Sequence, residues 1–215
     1  MRIFKPGPGH APKWGELDFF ELVRLQPGEL RSFERHNPKE KLIVCAGQCV
    51  IWLHCATHAV SLAATASGNL DLPDGADRFL VEEVSEPTTL CYFTGRWGAE
   101  NGGSGLFGVR RSEHPRDDGD PVNYPKETDF DCHYHDCDEY WIIWEGSGEV
   151  VIEDQNYAVA AGDGVAIGMG HHHDFPLVRQ PVKAVWFETT LQGQKRRGHL
   201  YNHTHGLAQP RWERV

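Results

Sequence analysis

The stretch from Tyr140 to Gly168, YWIIWEGSGEVVIEDQNYAVAAGDGVAIG, restricts the fold more than any other part of the chain. Its apolar runs are too short for packed helices and rich in β-branched and aromatic residues. Turn formers separate them at GSG (146–148), DQN (154–156) and AGDG (161–164). Short strands joined by tight turns satisfy that pattern. Similar runs recur as KLIVCAGQCVIWLH (41–54), RFLVEEV (78–84), TTLCYFTG (88–95) and VKAVWFETTL (182–191). The fold class expected is therefore all-β, a barrel or a sandwich. FFELVRL (19–25) fits a helix or a strand by pattern alone.

A chain of 215 residues suggests one or two domains, on a prior of about 150 residues per domain. The segment from Gly98 to Pro125 is rich in Gly, Pro and Asp and reads as a connector, with one short strand at LFGVR (106–110). On either side of it the sequence repeats. Shifted by 99 residues, ERHNPKEKLIVCAG (34–47) falls on HYHDCDEYWIIWEG (133–146). His36 then meets His135, Glu40 meets Glu139, Ile43 meets Ile142 and Gly47 meets Gly146. The organisation expected is two copies of one β-rich unit, at 1–97 and 126–215, joined by 98–125.

The second copy carries the chemistry. Residues two apart on a strand share a face, so His133 and His135 point the same way, and Glu139 keeps their parity. The hairpins that follow bring back His171, His172 and His173, of which one can share that face. Two imidazoles, a carboxylate and a returning imidazole suit a divalent first-row metal with positions open to substrate. Trp141 and Ile143 share the ligand parity and are expected as apolar pocket walls, with Cys137 as a third pocket residue. Asp136 and Asp138 have the opposite parity. The acid–base candidates are Tyr134, Glu145 and His171, with Tyr140 on the wrong parity; Arg110, Arg111 and Arg179 are candidates to grip a substrate carboxylate. The HTH run at 203–205 lacks an acid partner and is read as tail.

These residues resemble the cupin superfamily. Its first motif is matched by His133, His135, Glu139 and Gly146, and its second by Gly162, Gly170 and His173. Glu127, Gly168 and Leu177 depart from the pattern, but none stands at a ligand position. The resemblance implies a double-stranded β-helix (jelly-roll) barrel, two per chain, hence a bicupin that dimerises. It carries over His133, His135, Glu139 and His173 as ligands of one Fe, Mn, Ni or Zn ion. The first copy is degraded: Glu34 stands in place of the first histidine, and no histidine occurs between His58 and His114. No metal is expected there.

The function expected is a metal-dependent enzyme on a small oxygen-rich substrate (a hydroxy-acid, sugar derivative or enolisable ketone), by isomerisation, elimination or dioxygenation. The alternative is a metal-dependent binding or sensing protein. A formal net charge of −10 argues against nucleic acid. No apolar run nears the ~20 residues of a membrane span, and MRIFKPGPGH has no secretory h-region. The cytoplasm is the expected compartment, with the six cysteines reduced.

Overall fold

The computed structural model describes residues 2–35, 39–55, 59–73, 76–116 and 118–215. His36, on which part of the repeat rests, and His58 lie outside them. Among the described residues the strands are β1 (Ile3–Phe4), β2 (Leu17–Leu25), β3 (Arg31–Glu34), β4 (Lys39–Ala46), β5 (Gln48–Cys55), β6 (Ala59–Thr65), β7 (Asn69–Asp71), β8 (Ala76–Glu82), β9 (Thr88–Gly95), β10 (Asn101–Val109), β11 (Glu139–Ile152), β12 (Gln155–Ala160), β13 (Gly164–Ile167) and β14 (His173–Thr190). One short helix, α1 (Asn202–His205), follows. The all-β expectation holds, and FFELVRL is strand. None of the described helices is long and apolar enough to cross a membrane.

The chain divides into two compact units. One takes residues 6–9 and 17–96, the other residues 1–5, 10–16 and 97–215. The first unit holds two four-stranded sheets, in the orders β2-β9-β4-β7 and β3-β8-β5-β6. Period-two burial builds its core. In β5, Cys49, Ile51 and Leu53 are buried while their neighbours are half-buried or exposed. Phe33 stacks on Phe79 at 4.5 Å within that core.

The second unit is one six-stranded sheet, in the order β1-β13-β11-β14-β10, with β12 paired to β11. Its spine is the antiparallel pair β11–β14, in register from Glu139 opposite Glu188 to Ile152 opposite His173. GSG (146–148) is not a hairpin turn, as the sequence pattern suggested. β11 runs straight through it, with register shifts between Ile143 and Val151. Gly146 has φ 86°, and a Cβ there would lie 2.0 Å from the Pro181 carbonyl oxygen, so only glycine lets the bulged strand bend against β14. The true hairpin turn falls at Glu153 and Asp154, next to the predicted DQN, and AGDG leads into β13 as expected.

The glycine-rich start of the expected connector also differs. GLFGV is the end of a nine-residue strand, β10, that pairs with β14 along its length. The glycines are there for space. A Cβ on Gly105 would lie 2.9 Å from the Trp186 indole nitrogen, and one on Gly102 would lie 2.0 Å from a Glu188 carboxylate oxygen. β10 gives up its own side chains so that Trp186 and Glu188 of β14 can lie across it.

Candidate metal centre

His133 and His135 sit on the bridged segment just before β11. Glu139 opens β11, and His173 opens β14, bridged to His133. The antiparallel return of β14 brings all four side chains together with their donor atoms within 4.8 Å of one another. All are buried, from 1% to 5% exposed.

The backbone fixes which nitrogen of each ring points inward. His133 Nδ1 lies 2.8 Å from the Asp131 carbonyl oxygen, His135 Nδ1 3.1 Å from that of Gly198 and His173 Nδ1 3.0 Å from that of His171. A carbonyl only accepts, so each Nδ1 carries a proton and each ring turns its Nε2 inward, the atom that binds a metal once it is free of a proton. Those Nε2 atoms converge. The Nε2 atoms of His133 and His173 are 3.0 Å apart, and Glu139 Oε2 is 3.1 Å from His135 Nε2 and 3.0 Å from His173 Nε2. With both Nδ1 atoms protonated, the His133–His173 contact is two lone pairs face to face and not a hydrogen bond. His135 Nε2 and Glu139 Oε2 have no hydrogen-bond partner, while Glu139 Oε1 accepts from Trp141 Nε1 at 2.8 Å. Four buried ligand atoms aimed at one point call for positive charge, a proton or a metal ion, and the set fits a divalent first-row metal.

The electrostatics agree. Burial disfavours an imidazolium at His135, yet the Glu139 carboxylate outweighs it and pushes the pKa up to about 9. Burial works against the charge on Glu139 in turn, and the His135 and His173 rings overcome it and hold the carboxyl well below its usual range. Burial, reinforced by the neighbouring imidazoles, drives His133 well below 6.5. The carboxylate draws positive charge into the site, and proton and metal compete for the same Nε2 atoms.

A pocket of about 330 Å³ opens onto this cluster, lined by Phe107, Phe130, His133, Glu139, Trp141, Trp186, Glu188, Gly198 and His199. Six of these, Phe107, Phe130, Trp186, Glu188, Gly198 and His199, are not among the residues that the sequence singled out. Glu188 faces Glu139 across the β11–β14 register, and its Oε1 is 3.6 Å from His135 Nδ1. The single acid of VKAVWFETTL (182–191) was the available clue. His199 and Gly198 arrive from the tail after β14. The His199 ring stacks on His133 at 3.8 Å and 2°, and its Nδ1 lies 2.8 Å from Asp131 Oδ2. That oxygen also accepts from the Tyr201 hydroxyl at 2.5 Å. Phe130 packs against His133 and edge-on to Trp141.

Of the other predicted residues, Trp141 lines the pocket and Cys137 lies beside it, its thiol 3.9 Å from Glu188 Oε2. Ile143 does not reach the pocket; it is fully buried in the core beneath. The acid–base candidates all lie elsewhere. Tyr134 has even parity, and its hydroxyl donates to the Gly206 carbonyl at 2.8 Å. Glu145 is exposed beyond the bend of β11 and pairs with Lys183 at 2.8 Å. His171 is buried with Nε2 against the Arg211 carbonyl and Nδ1 near Glu153. His172 and His203 both bind Asp120, at 2.9 and 2.8 Å, so the HTH run has an acid partner after all. Arg110 is exposed, Arg111 faces Glu127 and Arg179 faces Glu149, none at the pocket.

Comparison with known proteins gives the geometry a context. The family described as Cupin domain matches residues 122–188, which contain all four clustered residues. Residues 122–188 form a cupin domain. The chain is 45% identical over 216 residues to the uncharacterized protein y4oW of Sinorhizobium fredii (strain NBRC 101917 / NGR234), covering 100% of this chain and 97% of that one. Its fold is similar to oxalate decarboxylase of Bacillus subtilis at pH 4.6, with a TM-score of 0.55 and 9% identity, covering 89% of this chain and 77% of that one. The formate complex of Lactobacillus farciminis oxalate decarboxylase gives a TM-score of 0.55 at 10% identity, covering 90% of this cupin and 87% of that chain. At such identities the likeness is one of fold alone. It agrees with the double-stranded β-helix expected from the motif.

Proposed function

We propose that this cupin is a metal-dependent enzyme that acts on a small oxygen-rich substrate by isomerisation, elimination or dioxygenation. One observation carries the reading. Three imidazole Nε2 atoms and one carboxylate oxygen converge on the wall of a pocket of about 330 Å³. His133, His135, Glu139 and His173 would hold one Fe, Mn, Ni or Zn ion. Such an ion supplies Lewis-acid polarisation of substrate oxygens, and iron adds redox chemistry.

The protein's own groups supply the rest. The carbonyls of Asp131, Gly198 and His171 hold the three rings in the ligating tautomer. Trp141 occupies one carboxylate oxygen of Glu139 and leaves the other for the metal. Phe107, Phe130 and Trp186 keep water from the bound substrate. Glu188 is the pocket carboxyl outside the four donors, placed to exchange a proton with the substrate.

The first unit is a second, degraded barrel in this reading, which makes the chain a bicupin. We further propose a homodimer that works in the cytoplasm. The runner-up, a non-catalytic binding or sensing protein, draws support from the tail that lies against the donors through Gly198 and His199. The test is turnover by the metal-loaded protein. Oxygen uptake, isomerisation or elimination with a panel of diols, hydroxy-ketones and hydroxy-acids supports the enzyme. Saturable binding with no product from any of them favours the binding protein.

A further inference from the structure

The pocket wall carries more information than the metal cluster does. Phe107, Phe130 and Trp186 are each only half-buried. With Trp141 they surround the pocket, and the Phe107–Trp141 and Phe130–Trp141 centroids are 5.5 and 5.2 Å apart. Trp186 is held in a particular way. Its ring atoms would lie 3.2 Å from a Cβ on Gly103 and 2.9 Å from one on Gly105, so the indole rests directly on the bare backbone of β10. A flat side chain on a glycine track leaves a flat surface for a flat ligand.

Charge narrows the choice further. The pocket's charged lining is Glu139 and Glu188, with no lysine or arginine. Arg197, in the tail beside it, is exposed and donates to the Gly102 carbonyl. With Glu139 engaged by the metal, an anionic acid would still face Glu188 and four aromatic rings, with no guanidinium fork to receive it. The volume of about 330 Å³ also far exceeds a two-carbon diacid.

We infer that the ligand of this site is an uncharged aromatic ring bearing two adjacent oxygens, stacked on Trp186 with its oxygens toward the four-donor cluster. The inference rests on the proposed metal site, because adjacent oxygens are chosen for chelation at a first-row ion that keeps open positions. It deepens that reading by naming a substrate class.

The experiment is anaerobic titration of the metal-loaded full chain, read by quenching of tryptophan fluorescence and by calorimetry. Three probes are compared: catechol, cis-1,2-cyclohexanediol and oxalate. Metal content is measured on the same samples. The expected result is catechol binding about tenfold or more tighter than either comparator. Trp186→Ala should weaken catechol about five- to tenfold, the scale of one lost aromatic contact, with metal content unchanged. Trp186→Phe should recover part of the loss. If Trp186→Ala does not fold, Phe107→Leu serves in its place, with the same direction expected. Cyclohexanediol or oxalate binding as tightly as catechol, with metal present, overturns the ring assignment and leaves the metal site standing. Catechol affinity unchanged in a folded Trp186→Ala overturns the platform. A protein that takes up no metal overturns the underlying reading and this one together.

Discussion

Glu40 in the first unit and Glu139 in the second solve the same problem differently. Both are buried carboxylates, 2% and 5% exposed, at the start of a core strand. Neither can remain ionised there without positive charge nearby. Glu40 receives it from the chain itself: the Arg35 Nε donates at 2.9 Å from a side chain only 9% exposed. Glu139 faces the Nε2 atoms of His135 and His173, and its counter-charge comes from outside, as a proton on His135 or as a metal ion. The two units thus differ in where the counter-charge comes from, and in the proposed function that difference decides which of them holds the metal. A sequence repeat that aligns the two glutamates misses it, because Arg35 aligns with Tyr134, which does not take part in the site.

The comparison can be broken most sharply at the ligands. Glu139→Ala or His135→Ala should lower metal affinity by more than the ~10–100-fold that outer partners of a metal site typically cost. Elemental analysis of the dialysed protein should find almost no metal, with the circular-dichroism spectrum kept. The mirror change is Arg35→Met, which strands Glu40 in the interior. It should destabilise the first unit by about 3–5 kcal/mol, the usual scale for breaking a buried pair, measured by urea unfolding. Metal content should not change. If Arg35→Met released the metal, the two counter-charges would not be independent.

Protons sharpen the same contrast. His135 is raised above its ordinary value to about 9, so in the metal-free protein it keeps a proton at neutral pH. The stability which that proton brings is complete below about 6.5, the unfolded value. It is lost as pH rises through about 9. A metal at Nε2 must displace the proton. Binding at pH 7 should therefore release about one proton per chain, and apparent affinity should rise about tenfold per pH unit from 7 to 9. Calorimetry in buffers of different ionisation enthalpy measures the release. Binding with no proton release would show that the ring was already neutral. The smallest expected effect is at Trp141→Phe, which frees Glu139 Oε1. Affinity should drop about tenfold, as for loss of an outer partner, while stoichiometry stays the same by competition with a chelator of known affinity.

The strands and the four clustered residues were legible in the sequence because both depend on period two and on local spacing. His133, His135 and Glu139 lie on one short segment, and His173 lies a fixed set of hairpins away. The rest of the site was hidden because it is assembled by register and by the tail. Glu188 reaches the pocket only through its pairing opposite Glu139. His199 reaches it because the tail folds back, with Leu200 bridged to Tyr134 and Arg196 forked on Asp136 at 2.9 Å. The glycines of β10 read as a loop because composition cannot distinguish glycine that bends a chain from glycine that makes room for a tryptophan. Tyr134 is an acid–base candidate by proximity in sequence, but its even parity turns it away from the ligand face; His171 shares the parity of His173 but precedes β14, and its ring is held by the Arg211 carbonyl.

The most direct test of the account is the metal content of the purified, untagged protein and of its Glu139→Ala variant. The account predicts one divalent first-row ion per chain in the former and almost none in the latter. Two ions per chain would contradict the assignment of Arg35 as the counter-charge in the first unit. No ion after reconstitution with iron, manganese, nickel and zinc in turn would contradict the metal centre itself.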